Sequence, residues 1–332
     1  MRKNPIEVSR EEIDAFFDRQ GNITVDNYLE LQSILNRERL CEVLGQIMTD
    51  DEAADRIAER SYVHSQGFSK IILIDGKSEG NNGTGGKDYK HRLHLWRRRK
   101  ARADGAPIVE MKHAHKWGFV SYLPVGEVED HWYEIRDLSE GERAVFEKFE
   151  AALRNMSAVE IAAICERIDL IETIALASTS SVLPMLQGGM DAILRQSNLK
   201  DLEAVLNLTH EELNLIVNIL VKYSNQRTPE GTEVYRHEGA RFFAPTKLVT
   251  HQQGSFRMHP IDSAHRLIVD PKRYVATNVI TGIPHAGRKP GEFVRASVGK
   301  VDGDQRERVY YTRQTLRGDL EECISEILAT PA

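Results

Sequence analysis

Cysteine is scarce in this chain. Cys41, Cys165 and Cys323 are the only three among 332 residues. An odd, widely spaced set without a motif argues against a disulfide framework and for buried thiols in a reducing cytoplasm. Long apolar runs are also missing: none approaches the roughly 20 residues that a membrane-spanning helix needs. The opening MRKNPIEVSREEIDAFF turns acidic at once and lacks the apolar core of a secretory signal. Nor is there an excess of basic charge. Lys and Arg total 44 against 50 Asp and Glu, a net charge of −6, so no global field draws the chain to nucleic acid or an anionic membrane. With 41% hydrophobic and 28% charged residues, collagen-like, mucin-like and disordered classes are excluded. The length suits one large or two ordinary domains.

What is present falls into alternating blocks. Residues 1–66 carry apolar positions at helical spacing and two capping-box patterns, Ser9-x-x-Glu12 and Thr49-x-x-Glu52. Residues 67–137 change period. KIILI (70–74), HRLHLW (91–96), APIVEMKHAH (106–115), KWGFVSYLPVG (116–126) and DHWYEI (130–135) read as antiparallel strands. Residues 138–229 read as a helical insertion of four or five helices, with capping patterns at Ser139/Glu142, Ser157/Glu160 and Thr209/Glu212. Strand character returns over 230–313, and 314–332 holds a final helix over TLRGDLEECISEIL (315–328). No repeat of 20–50 residues is visible. Two separate β halves would each leave unpaired edges. One closed barrel, or a two-sheet sandwich, interrupted by the helical insertion is therefore the economical α+β architecture. Its test is whether the two halves supply one site together.

The chemistry centres on His113-Ala-His115. Residues two apart on a strand share a face, so both imidazoles can converge on one ion. The same odd-numbered face continues through Trp117, Phe119, Ser121 and Leu123, which places the pair toward an apolar interior. The plainer alternative is a pair of solvent-facing or hydrogen-bonded histidines. On strand 91–97, Arg92, His94 and Trp96 share one face and Leu93 and Leu95 the other. If the leucines pack beneath helices, Arg92 and His94 face the cavity, and Arg92 is placed to grip a substrate carboxylate. The alternative assigns Arg92 to the basic surface run that continues through Arg97 to Lys100. Tyr122 is a candidate hydrogen-bond donor near the site, while His131 and Tyr133 read better as packing or surface groups.

Other motifs carry less. GNNGTGG (80–86) lacks the Lys-Ser/Thr ending of a phosphate-binding loop and reads as a surface loop or a lid over the pocket. WRRRKARA (96–103) reads as a solvated hairpin tip rather than an RNA site. His210-Glu211 lacks the second histidine of a zinc-protease helix. The apolar stripes of 158–176 and 212–223 suit the core of the insertion or a homodimer face.

HAHKWGFVSYLPVG (113–126) resembles the first motif of the cupin superfamily: His-x-His, a spacer, and a glycine, here Gly126, at the turn after the strand. Where many cupins carry a glutamate ligand this chain has Phe119 or Val120, a departure that favours a three-histidine set. The third ligand must come from the second β half, from His251, His259, His265 or His285. AHRLIVDPKRYVATNV (264–279) resembles the second cupin motif and points to His265. Within cupins the chain is most similar to the thiol dioxygenases of the cysteine dioxygenase type, through Leu93-His-Leu-Trp96 and Ile283-Pro284 as well. The resemblance implies a single cupin (double-stranded β-helix) barrel split by the insertion, with His113, His115 and His265 holding a metal. It tilts the choice toward Fe(II), with Zn or Ni as alternatives, and toward a dioxygenase that takes O₂ and a small polar metabolite such as an amino acid or thiol. A Zn or Ni isomerase or lyase and a non-catalytic ligand-binding cupin are the rivals. No cysteine–tyrosine crosslink is expected, since no cysteine falls in a β segment.

Overall fold

In the computed structural model, the described residues are 4–63, 68–76, 89–97, 108–109, 112–115, 117–154, 156–157, 160, 163–164, 167–168, 199–227, 233–270, 273–282, 292–295 and 309–330. The loop 80–86, most of the stripe 158–176, Cys165, residues 98–103, Ile283-Pro284 and His285 lie outside them.

Four helices open the chain, and their ends follow local capping chemistry. Asn4 accepts a hydrogen bond from the Ile6 N–H and starts α1 (Pro5–Gln20), with proline in the first turn where its missing donor costs nothing. Ser9 is therefore a buried mid-helix residue, not the expected cap. After α2 (Leu29–Gln32) and α3 (Arg37–Thr49), Asp50 rather than Thr49 caps α4 (Asp51–Arg60), accepting from the Ala53 N–H. The Thr49 hydroxyl instead bonds back to the Gly45 and Gln46 carbonyls.

The β elements are β1 (Tyr62–Val63), β2 (Ser69–Asp75), β3 (Tyr89–Trp96), β4 (Ile108–Val109), β5 (His113–His115), β6 (Phe119–Val125) and β7 (Glu127–Arg136). After the helices α5 (Glu140–Leu153), α6 (Leu199–Leu206) and α7 (His210–Val217) come β8 (Ile219–Arg227), β9 (Glu233–Gln252), β10 (Phe256–His259), β11 (Ala264–Val269), β12 (Val275–Gly282), β13 (Glu292–Arg295) and β14 (Val309–Tyr310). The helix α8 (Arg313–Ala329) closes the order. The Ser139/Glu142 and Thr209/Glu212 capping boxes are both formed, and Ser157 and Glu160 exchange the same bonds. A further expectation fails: the helical insertion is expected to run to residue 229, but α7 stops at Val217 and residues 219–227 are a strand. ILVKY is a short, β-branched apolar run that period alone cannot assign.

Every pairing among the described strands is antiparallel. They form two seven-stranded sheets, β10-β6-β12-β3-β2-β1-β14 and β4-β11-β5-β13-β8-β9-β7, with β7 also pairing β11. Among the described residues the strands thus divide between two sheets and do not form one single barrel. Both sheets mix the two β halves: β6 lies between β10 and β12, and β11 lies between β5 and β7.

Strand alternation then sorts the side chains. Tyr89, Leu93, Leu95, Val120, Tyr122, Ala276 and Ile280 share a core with α1–α4 and α8. The Tyr89 ring stacks on Phe17 at 5.0 Å. The opposite face of this sheet carries Trp96, Leu123 and Val275, which pack with Val128, Leu267 and Val269 of the second sheet. A further core of Phe146, Phe149, Leu202, Leu206, Leu213 and Ile216 joins α5–α7 beside Ile219. The buried Lys112, which immediately precedes β5, ties this insertion to the histidine-bearing strand by donating from its ammonium to the Val217 carbonyl at 3.0 Å. At the β6–β7 turn Gly126 has φ +92°, and a Cβ there would sit 2.7 Å from the Tyr274 carbonyl oxygen, so only glycine fits.

His91 sits on the helix-covered side, fully buried, with Nε2 2.6 Å from the Asn278 side-chain oxygen. Burial pulls its pKa down to about 4, against the hydrogen bond to Asn278. Its unfolded value is near 6.5. The unfolded chain therefore binds this proton first. The stabilisation is complete above about pH 6.5 and is lost as pH falls toward 4, by about 2–3 kcal/mol. Urea unfolding at pH 7 and 4.5, compared between the native chain and a His91→Gln variant, should show the variant losing less stability on acidification. Equal losses would refute the assignment.

Candidate metal centre

The site begins with the register of β11 between its two neighbours. His265 lies directly across from His113 on one side and from Trp132 on the other. Ala114 and Ala264, one residue along, turn to the opposite face and pack with Tyr133 and Phe243. Alternation therefore directs His113, His115 and His265 to one face. One ring nitrogen from each lies within 4.8 Å of the other two. The ring centroids of His113 and His115 stand 4.7 Å and 5.7 Å from that of His265. His113 Nε2 and His115 Nε2 are 3.1 Å apart, about the spacing of two nitrogens that share a metal with bonds near 2.1 Å. The Nε2 of buried His265 has no hydrogen-bond partner among the described residues.

A second set adjoins the first. Asp130, His259 and His265 also bring one ligand atom each within 4.8 Å. Asp130 is fully buried on β7, with Oδ1 3.1 Å from His265 Nδ1 and Oδ2 2.8 Å from His259 Nε2. The His259 ring is held between Phe119 and Trp132, each stacked at 4.3 Å. His251 Nε2 and Arg257 Nη1 lie 3.8 and 3.7 Å from Asp130 Oδ2. Arg257 also donates to the Ser121 hydroxyl at 2.9 Å.

The electrostatics follow from burial. His115 is held well below its ordinary pKa by burial first, then by His113, His265, Arg92 and His259. Burial also lowers His265 to about 4. Burial opposes ionisation of Asp130, but the neighbouring His259 and His265 hold its carboxyl well below the usual carboxylate range. His115, His259 and His265 are thus neutral near pH 7 and have lone pairs to offer, and the Asp130 carboxylate is charged. Neutral imidazoles beside an anionic carboxylate form a donor set that suits a divalent transition metal.

The remaining expected residues divide. Arg92 is buried and acts on His115, which sets aside its reading as part of a solvated basic run. Arg97, at the end of β3, instead pairs with Asp319 at 2.6 Å. His94 packs against the Phe68 and Trp96 rings, at 4.9 and 6.0 Å. Tyr122 is a correction. It lies on the opposite face of β6, in the core beneath the helices with its ring 5.0 Å from that of Phe256. Burial, then Glu38 of α3, raises its pKa. The reason is parity: if the odd positions of 113–123 face inward, Tyr122 cannot. His251 and His259, the other third-ligand candidates described, stand around Asp130.

Sequence reasoning missed Asp130. One signal was present: within DHWYEI it shares parity with Trp132, and an acidic residue on the inward face of a strand needs a partner. No protein-family model matches the chain, and no curated protein sequence matches it. No helix among the described residues is long and apolar enough to cross a membrane.

Proposed function

We propose that this chain is a mononuclear non-haem iron oxygenase of cupin type, its two sheets forming the walls around a three-histidine centre. The observation that carries the reading is the meeting of His113 and His115, from the first β half, with His265, from the second, in one set of ring nitrogens. The donors fit a metal: the His265 Nε2 is buried without a partner among the described residues, and burial keeps His115 and His265 neutral. His113, His115 and His265 would hold the ion. Fe(II) bound there would supply open coordination positions for a substrate donor atom and O₂.

The chain's own residues do the rest. Arg92 offers a buried guanidinium, suited to an anionic group such as a carboxylate on a small polar metabolite. The Trp117 and Phe119 rings flank His115, at 4.9 and 5.4 Å, and line that side of the site with apolar surface. The free thiols Cys41 and Cys323 suit a reducing cytoplasm.

Protein loaded with Fe(II) without air should retain about one equivalent of metal. It should then consume O₂ with a member of a panel of small thiols and amino acids. Failure to retain Fe(II), Zn(II) or Ni(II) would sink the metal centre. Retention without oxygen uptake across the panel would sink the oxygenase and favour a hydrolytic, isomerase or lyase site on the same ligands.

A further inference from the structure

We propose that Asp130 is a positioning residue for this centre. Its carboxylate fixes His265 as the Nδ1–H tautomer, so that only Nε2 is presented beside His113 and His115. The inference rests on the metal reading above and adds to it a residue outside the ligand set.

An ionised carboxylate only accepts hydrogen bonds, and a neutral imidazole carries a single N–H. Asp130 Oδ1 lies 3.1 Å from His265 Nδ1, in a fully buried setting where an unmatched contact is costly. The proton therefore sits on Nδ1, and Nε2 keeps its lone pair. Among the described residues, that His265 nitrogen has no hydrogen-bond partner. Without the carboxylate the ring is free to place its proton on Nε2 and block the metal. The carboxylate also raises the basicity of the ligating nitrogen through the ring.

The other carboxylate oxygen, Oδ2, lies 2.8 Å from His259 Nε2, an ion-pair distance without hydrogen-bond geometry, and that ring stacks between Phe119 and Trp132. The same three groups, Asp130, His259 and His265, satisfy the distance condition for a second ion. The Arg257 guanidinium, buried and 3.7 Å from Oδ2, argues against that use, because it already supplies the positive charge there.

The test needs two measurements. Histidine ring ¹⁵N NMR on metal-free protein reads the tautomer of His265 directly. Competition titration with Zn(II) reads affinity and stoichiometry. The native protein should show His265 protonated at Nδ1 and bind one equivalent. Asp130→Asn, which keeps an acceptor oxygen and the side-chain volume, should bind 3- to 10-fold more weakly, and Asp130→Ala 10- to 100-fold more weakly with a mixed His265 tautomer. If the alanine variant does not fold, the native tautomer and the asparagine variant decide. His265 protonated at Nε2 in the native protein, unchanged affinity in the variants, or a second equivalent lost with Asp130 would each overturn the proposal. Failure of the metal reading looks different: the Nδ1–H tautomer in a protein that binds no Zn(II) or Fe(II), which would remove both.

Discussion

Replacing His265 with alanine is expected to lower the affinity for Fe(II) or Zn(II) by at least about 100-fold, since even groups that only support a ligand are worth 10- to 100-fold. The size of the effect follows from position. His265 supplies the single donor from the second β half to the set containing His113 and His115. It is buried, with Asp130 on its other nitrogen. His115→Ala should behave in the same way. His94→Ala is the matched control, since His94 packs on Phe68 and Trp96, and its affinity should stay within about 3-fold of native. Competition against a chromophoric chelator measures all three. Native-like affinity in the His265 variant would remove the centre from the protein's function.

The second large effect is structural. Trp96→Ala should cost about 3–5 kcal/mol, the range for deleting a large buried aromatic. Trp96 is completely buried, and its neighbours come from both sheets: Leu123 and Val275 on one side, Val128, Leu267 and Val269 on the other. Its removal opens a cavity at the seam that the sheets can close only by moving together. Its indole N–H has no partner among the described residues, so Trp96→Phe should lose less than half as much. Urea unfolding followed by circular dichroism gives both values. A loss below about 1 kcal/mol for the alanine variant would mean that the sheets do not share this core.

Much of this fold was readable along the chain, because the signals are local. Ser139 and Thr209 cap helices through their own first turns, and such contacts span three residues. The face-sharing of Arg92 and Trp96, opposite Leu93 and Leu95, is a period-two property of one strand and needs no neighbour. Where two local signals competed, reading failed. Asn4 displaced Ser9 as the cap of α1, and ILVKY became β8 although its apolar spacing suits a helix equally well. Tyr122 was misplaced although the inward parity of His113 and His115 already assigned it to the other face.

By itself the sequence determined that the chain alternates helical and strand blocks, that His113 and His115 project together, and that neither β half can satisfy its own edges. Only the tertiary structure decided that β11 runs between β5 and β7. That register sets His265 across from His113 and brings Asp130 beneath it. The reason is physical. Side-chain direction is fixed by backbone geometry within a strand, whereas which strands become neighbours depends on the free energy of closing loops more than a hundred residues long against the burial of both faces at once.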